Sequence, residues 1–166
     1  MAETETLSPL LPNEVEEGTR RLLEKACERD LMFAAAESCT GGMLASLLTD
    51  VHGSAHAFER GFVTYSNEAK HEMLGIPMTL IEQEGAVSKP VAIAMAEAVL
   101  ARSRANLAVS ITGFADSGPE PGLVHFACAR PGRRTAHREE HFGPVGRGAT
   151  RVACMRVAVE MLSDML

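Results

Sequence analysis

Apolar residues follow two kinds of pattern along this chain, one typical of strands and one typical of helices. Residues 31–50 contain the strand pattern followed by the helix pattern. The segment opens on a continuous apolar run of strand length, passes through small residues at 37–42, and continues with apolar residues at helical spacing. This pattern predicts a strand, a tight turn and a helix. Because the first N–H groups of a helix have no partner within it, such a turn can receive an anion or a developing oxyanion.

The remaining pattern predicts alternating helices and strands, and then two strands in succession. Helices are expected at residues 14–29, 67–74, 79–84, 88–103 and 146–166, and strands at 58–65, 107–111, 123–130 and 135–142. Helix-separated strands followed by a hairpin predict an α/β fold. We expect a three-layer α/β/α sandwich whose sheet is mostly parallel, with an antiparallel hairpin at one edge.

Polar residues stand at the carboxyl ends of three of the predicted strands. These residues are Ser38, Tyr65 and Thr112. Ligands of open α/β sheets bind beyond the carboxyl ends of the strands. We therefore expect these three turns, which are distant in sequence, to converge on one site.

The length and charge of the chain limit its organisation and its partners. It has 166 residues and a formal net charge of −6. This length favours one domain, expected at residues 14–166, after a mobile tail at residues 1–13 that holds two prolines and no sustained periodicity. The negative charge argues against a nucleic-acid partner, because phosphate backbones are bound by clustered Lys and Arg.

Cysteine spacing and hydropathy indicate the compartment. The four cysteines form no C-x-x-C pair, which favours reduced thiols in a cytosolic protein. No apolar run approaches the length needed to cross a bilayer, and the N-terminus is acidic rather than basic and then apolar. We therefore expect a cytoplasmic protein without a membrane partner.

A serine and a lysine at this sheet edge can form a nucleophile and its base. Ser38 lies in the first turn, and Lys70 follows one strand and one helical turn later, with Tyr65 at the same edge to relay a proton or orient the lysine. A lysine can take the serine proton if burial lowers its pKa. The plainer alternatives are that Ser38 or Thr40 only caps the helix, and that Lys70 is a solvated surface charge.

Five short motifs occur in order along the chain: AESCTGG, GFVTYSNEAK, LGIP, GAVSKPVA and SITGFA. Together they resemble the CinA C-terminal domain family, whose stand-alone active members are nicotinamide mononucleotide deamidases. The resemblance runs from about residue 17 to the C-terminus, and the order and spacing of AESCTGG and YSNEAK are highly specific.

The resemblance implies a fold, an activity and roles for individual residues. It implies an α/β/α fold, a homodimer, no metal or other cofactor, and hydrolysis of the carboxamide of nicotinamide mononucleotide to nicotinic acid mononucleotide and ammonia. By motif position, Ser38 is the expected nucleophile, Lys70 its base and Tyr65 an assisting group.

This small nucleotide substrate needs two kinds of contact. An amide carbonyl attacked by Ser38 develops an oxyanion, for which the turn offers backbone N–H groups, and the phosphate can be held by N–H and guanidinium groups. The expected substrate-binding residues are Cys39, Thr40, Gly41, Gly42, Thr112, Gly113, Arg147 and Arg151. For each arginine, an ordinary surface charge is the alternative.

One loop departs from the family pattern. After Thr112 and Gly113, active members carry a longer glycine-rich run with a Lys-Pro-Val-Gly sequence, whereas residues 114–122 are shorter, place Asp116 where a glycine is expected and hold no lysine. An added carboxylate repels a phosphate. The departure motivates a second hypothesis, in which the chain is a catalytically weak paralogue that binds a nucleotide or a protein partner, or hydrolyses a different amide.

Three other kinds of chemistry are weaker interpretations of the sequence. Cys39 could act as the nucleophile, but adjacent side chains in a turn point differently, so it ranks behind Ser38. A Rossmann dehydrogenase is excluded because no G-x-G-x-x-G follows a strand. Two pairs of histidines lie four residues apart, without an H-E-x-x-H pattern or an obvious third ligand, so structural or surface roles are favoured over a zinc site: His52 with His56, and His137 with His141.

Overall fold

The computed structural model describes residues 11–166. The first ten residues of the predicted tail lie outside this part of the chain. Leu11 is buried in the core, and the first helix begins at Asn13. None of the helices between residues 11 and 166 is long and apolar enough to cross a lipid bilayer.

The predicted helices and strands are confirmed, with ends that differ by one or two residues. The helices are α1 (Asn13–Glu28), α2 (Met43–Leu48), α3 (Asn67–Leu74), α4 (Met78–Glu84), α5 (Lys89–Ala101) and α6 (Arg147–Asp164), with a single 3-10 turn at Ala55–Ala57 within the described residues. The strands are β1 (Phe33–Glu37), β2 (Phe58–Val63), β3 (Leu107–Gly113), β4 (Leu123–Ala129) and β5 (Ala136–His141).

The strands form one mixed sheet in the order β2-β1-β3-β4-β5. β1 pairs in parallel with β2 and β3, whereas β4 pairs antiparallel with β3 and β5. The predicted α/β class is confirmed, but the antiparallel part includes the β3–β4 pairing as well as the edge hairpin. Residues 114–122 connect β3 to β4 and are too few for the helical crossover that a parallel pairing requires.

Side chains of β1 alternate between the two cores on either side of the sheet. Phe33 and Ala35 pack in the core that contains α1, α2 and α6. Ala34 and Ala36 pack in the core that contains α3, α4 and α5. The chain therefore folds into three layers, with helices on both faces of the sheet.

The connections that leave β1 and β2 create the crevice in which the candidate site lies. The chain passes from β1 to β2 through α2 on one face, and from β2 past β1 to β3 through α3, α4 and α5 on the other. Such a divergence opens a crevice at the carboxyl ends of the strands. The Ser38 N–H donates to the Ile111 carbonyl at 3.0 Å, which fixes the first turn beside β3.

Helix α3 has the caps that the sequence predicts, and they position its lysine. Ser66 Oγ accepts the Ala69 N–H at 3.0 Å, and Gly75 ends the helix with φ of 69°. Lys70 lies in the first turn after this cap, immediately beyond the carboxyl end of β2. A lysine at this position can reach the turn that follows β1.

Candidate active site

The segments that leave the carboxyl ends of β1, β2 and β3 line a common cleft of about 260 Å³. As predicted, Ser38, Tyr65 and Thr112 all line it. The other lining residues are Cys39, Asn67, Lys70, Ala86, Val87, Gly113, Phe114, Ala115, Ser117 and Arg147. Asn67 is a lining residue that was not predicted, although it belongs to the YSNEAK motif.

A direct contact joins Ser38 to Lys70. Lys70 Nζ lies 3.0 Å from Ser38 Oγ, and it also donates to the carbonyl oxygens of Thr64 at 2.9 Å and Tyr65 at 3.4 Å. A neutral amine has two N–H groups and one lone pair. When the two N–H groups point at the two carbonyl oxygens, the lone pair is left for the hydroxyl proton of Ser38.

Lys70 is shielded from water, so the alternative that it is a solvated surface charge is wrong. The residue is 1% exposed, and desolvation lowers its pKa to about 8. A charge on Cys39 opposes this effect, but Lys70 forms no ion pair with a carboxylate within the described range 11–166. With this pKa, about a tenth of Lys70 is neutral at pH 7, far more than for an ordinary lysine, and the neutral form can act as a general base.

Glu37, at the end of β1, is a residue of the site that the sequence analysis missed. It is 1% exposed, and its carboxylate accepts hydrogen bonds from Thr40 Oγ1 at 2.7 Å and from the N–H groups of Leu44 and Ala45 at 2.8 and 3.0 Å. These N–H groups are at the start of α2. The N–H groups of Leu44 and Ala45 are therefore taken by Glu37 and are not free for a bound ligand, and neither Ser38 nor Thr40 caps the helix.

The signal for this contact was present in the sequence. A glutamate at the end of a buried strand, directly before Ser-Cys-Thr, needs hydrogen-bond partners because an unpaired buried charge is costly. The unpaired N–H groups of the helix that follows are the nearest partners available.

The turn after β1 still offers backbone donors. The Gly41 N–H donates to the Ser38 carbonyl at 3.1 Å. Within residues 11–166, the N–H groups of Cys39, Thr40 and Gly42 have no oxygen acceptor. Three of the four N–H groups predicted to stabilise an oxyanion are thus available for that role, which stays a prediction.

The Cys39 side chain packs against α6, although Cys39 also borders the cleft. Its thiol lies beside that of Cys154 on α6, and Cys39 is 4% exposed within the core. The hydrogen bond between the two thiols lowers the pKa of Cys39 and raises that of Cys154. Cys39 therefore contacts α6 while Ser38 contacts the base, which supports Ser38 as the nucleophile.

Arg147 lines the cleft but is already paired. Its Nη2 and Nε donate to the Asp116 carboxylate at 2.6 and 3.1 Å. The Tyr65 hydroxyl and the Asp116 carboxylate both raise the pKa of Arg147. Tyr65 contacts Lys70 through its carbonyl oxygen, and its exposed side chain lies near Arg147. The assisting role of Tyr65 stays a prediction.

Arg151 lies beside the first turn and outside the lining of the cleft. Its Nε donates to the Cys39 carbonyl at 2.8 Å. Its guanidinium also packs over Gly41, where an added Cβ would stand 3.5 Å from Arg151 Nη2. The structure thus places Arg151 as a support of the turn, and Arg147 as the arginine that faces the cleft.

Thr112 and Gly113 form the β3 side of the cleft. The Thr112 hydroxyl donates to the Ala86 carbonyl at 2.8 Å, which ties β3 to the segment before α5. An added Cβ on Gly113 would stand 2.6 Å from Val124 Cγ2, so β4 requires glycine at this position. Their contacts in the structure are therefore structural, and a role in binding stays a prediction.

Two larger surface clefts, of about 550 and 510 Å³, border α1. Their lining residues do not include Ser38 or Lys70. Among residues 11–166, the single group of three side chains that could together hold a metal ion also lies outside the Ser38 cleft, on β4 and β5. The smaller cleft is therefore the candidate active site.

Comparison with known sequences identifies a family and named relatives. The family of CinA C-terminal domains matches residues 15–166. The nicotinamide-nucleotide amidohydrolase PncC of Escherichia coli K12 is 45% identical over 145 residues, which cover 82% of this chain and 88% of that protein. A CinA-like protein of Akkermansia muciniphila is 48% identical over 123 residues, which cover 68% of this chain and 30% of that protein.

The relatives differ in length. The chain spans only 24% to 34% of the length of several CinA-like and competence-damage inducible relatives, but most of PncC.

Solved structures share the fold over most of the chain. The competence/damage inducible protein CihA from Agrobacterium tumefaciens matches with a TM-score of 0.90 at 42% identity, over 93% of this chain and 96% of that one. A CinA superfamily protein from Escherichia coli matches with a TM-score of 0.85 at 30% identity, over 94% of each chain.

Glu37→Gln is expected to lower the free energy of unfolding by about 1–3 kcal/mol, because the glutamine NH₂ would face the Ala45 N–H and leave a buried donor unsatisfied. Urea denaturation measures this change. Glu14→Gln is the matched control, since Glu14 is an exposed carboxylate in the first turn of α1. Equal stability of the two variants would contradict the role of Glu37 at the start of α2.

Proposed function

The chain belongs to the family of CinA C-terminal domains, and from this premise we propose that it is an amidohydrolase that converts nicotinamide mononucleotide to nicotinic acid mononucleotide and ammonia. This activity is supported by the name of the Escherichia coli relative PncC, a nicotinamide-nucleotide amidohydrolase. The match covers 88% of the length of that protein. The observation that carries the proposal is the buried amine of Lys70, 3.0 Å from Ser38 Oγ in a cleft. A homodimer and a cytoplasmic location belong to the same proposal and rest on the family resemblance.

The proposed chemistry has two halves. Ser38 Oγ attacks the carboxamide carbon while Lys70 takes the hydroxyl proton, and the carbonyl oxygen becomes an oxyanion beside the N–H groups of Thr40 and Gly42. Lys70 then gives the proton to the amide nitrogen, the C–N bond breaks and ammonia leaves an acyl ester on Ser38. Lys70 takes a proton from water as it attacks the ester and passes that proton to Ser38 Oγ as the C–O bond breaks. The carboxylic acid product then gives its own proton to water or ammonia and leaves as the carboxylate.

The substrate phosphate is proposed to bind Arg147. Arg147 lines the cleft, whereas Arg151 supports the Cys39 carbonyl from outside it. A phosphate must displace the Asp116 carboxylate, and the cost is modest because both side chains of this ion pair are partly exposed. The displaced Asp116 carboxylate nevertheless stays close to the phosphate. The loop of residues 114–122 therefore weakens binding of the phosphate without removing the binding site.

The Asp116–Arg147 ion pair also favours a second function, namely binding without turnover. Calorimetry with nicotinamide mononucleotide, combined with an ammonia assay, separates the two. Tight binding without ammonia release would support a catalytically weak binder. Absence of both binding and release would contradict both functions and leave a different amide or a protein partner.

Ser38→Ala is expected to reduce ammonia release from nicotinamide mononucleotide by at least about a thousandfold, because the variant has no nucleophile. Ser46→Ala is the matched control, since Ser46 is an exposed serine on α2. The circular dichroism of both variants should equal that of the wild type. Wild-type activity in Ser38→Ala would overturn the assignment of the nucleophile.

The kcat/KM of the proposed reaction is expected to rise with pH through one ionisation near pH 8, which is the pKa of Lys70. Below this pKa the amine is protonated and has no lone pair, so the rate should fall tenfold for each pH unit. The two titratable groups beside Ser38 are the Lys70 amine and the Cys39 thiol, and the pH profile of the Cys39→Ser variant distinguishes between them. Retention of the ionisation in Cys39→Ser supports Lys70, and its loss assigns the ionisation to the thiol.

Asp116→Asn is expected to lower the KM for nicotinamide mononucleotide about fivefold, which corresponds to roughly 1 kcal/mol of removed repulsion, with little change in kcat. Nicotinamide riboside lacks the phosphate, so its kinetics should not change. Glu120→Gln is a control in the same loop, because Glu120 contacts His141 rather than Arg147. A higher KM in Asp116→Asn would show that Asp116 positions Arg147 for binding instead of competing with the phosphate.

A further inference from the structure

Strands β4 and β5 bring together histidines that are distant in sequence. In this antiparallel pair, His125 lies opposite Glu139, Ala127 lies opposite His137, and Leu123 lies opposite His141. Because side chains alternate between the faces of a sheet, His125, His137, Glu139 and His141 all project from the same face. The neighbouring strand β4 therefore adds His125 to the candidate ligands that β5 offers, His137 and Glu139.

Three ligand atoms in this group lie close to the separations that a metal ion requires. His125 Nδ1 lies 3.0 Å from His137 Nε2 and 3.8 Å from Glu139 Oε2, and all three atoms lie within 4.8 Å of one another. Ligand atoms of a tetrahedral zinc ion with bonds of about 2.1 Å stand roughly 3.4 Å apart. The two measured separations bracket this value, so small side-chain movements are enough to seat an ion.

The histidines are in a state that can bind a metal. A histidine ligand must present an unprotonated nitrogen. Two ring nitrogens 3.0 Å apart cannot both carry a proton, so at least one of the pair has a free lone pair. Burial also lowers the pKa of both His125 and His137, which favours their neutral forms.

Contacts with neighbouring side chains orient the carboxylate of Glu139. Glu139 Oε1 contacts His141 Nε2 at 2.8 Å, which leaves Oε2 directed at His125. His141 Nδ1 in turn contacts Glu120 Oε1 at 2.5 Å. Hydrogen-bonded partners of this kind hold metal ligands in position. They also connect the group to the 114–122 loop, which carries Asp116.

We propose that His125 Nδ1, His137 Nε2 and Glu139 Oε2 form a binding site for a divalent transition-metal ion of the zinc class, with water as the fourth ligand. The ligand set favours this class, since imidazole nitrogens suit zinc, cobalt, nickel and copper more than magnesium or calcium. The Glu139 side chain is 45% exposed, so the fourth position is open to water. The site is separate from the Ser38 cleft, and this proposal does not depend on the proposed hydrolysis.

The site has a direct structural relation to the cleft. His125 lies opposite Thr112 in the β3–β4 pairing, and Thr112 lines the cleft. An ion held by β4 and β5 would therefore fix the antiparallel half of the sheet immediately behind one wall of the cleft.

The test is a titration of untagged, chelator-treated protein with Co²⁺, followed by visible absorption and by competition with Zn²⁺. We expect one ion per chain, the visible bands of cobalt with nitrogen and oxygen ligands, and no intense charge-transfer band from a thiolate. The thermal unfolding midpoint should rise with zinc concentration, because the ion binds the folded protein.

Two ligand variants and one control variant complete the test. His137→Gln and Glu139→Gln replace partly exposed ligands, so circular dichroism should show that both fold, and each should weaken Zn²⁺ binding at least about tenfold. His52→Gln is the matched control, because His52 and His56 are an exposed pair elsewhere on the surface, and it should leave binding unchanged. Binding that survives both ligand variants, that is lost in His52→Gln, or that shows thiolate ligation would overturn the proposal, as would the absence of Co²⁺ binding.

Discussion

The candidate active site depends on one amine that is kept out of water between a serine hydroxyl and two backbone carbonyls. Lys70 extends from the first turn of α3, and Thr64 and Tyr65 supply the two carbonyl oxygens. The Thr64 N–H donates to the Glu37 carbonyl at 2.8 Å, so the pairing of β2 with β1 continues to the edge of the site. The same pairing that builds the sheet thus fixes the distance between the base and Ser38, which directly follows Glu37.

The buried carboxylate of Glu37 limits what the turn after β1 can bind. This carboxylate uses the N–H groups at the start of α2, which would otherwise attract an anion. In the proposed function, the remaining N–H groups of the turn stabilise the oxyanion, and Arg147, whose guanidinium is shared with Asp116, binds the phosphate.

Much of this arrangement was predictable from the sequence, because it follows from local rules. The spacing of apolar residues predicted the elements, and the parallel order of the first strands predicted that Ser38, Tyr65 and Thr112 would share one edge. The burial of Lys70 was not predictable from its position, since the first turn of a short helix is usually exposed. Its side chain is shielded from water because α3 begins directly at the sheet edge, which is a feature of the tertiary structure.

Contacts between distant segments were the main features beyond the reach of the sequence. The pair formed by Asp116 and Arg147 joins a loop to the start of α6, and no local pattern connects the two. The His125 contact with His137 depends on the register of β4 against β5, which spacing within one strand cannot reveal. Glu37 differs, because its partners lie within eight residues and a search for caps would have found them. The most direct test of Lys70 as the base is a titration of its side-chain resonance by NMR in lysine-labelled protein, assigned by its loss in Lys70→Met. We expect a pKa near 8, and titration at or above the usual value near 10.5 would contradict the claim that Lys70 is the neutral base of this site.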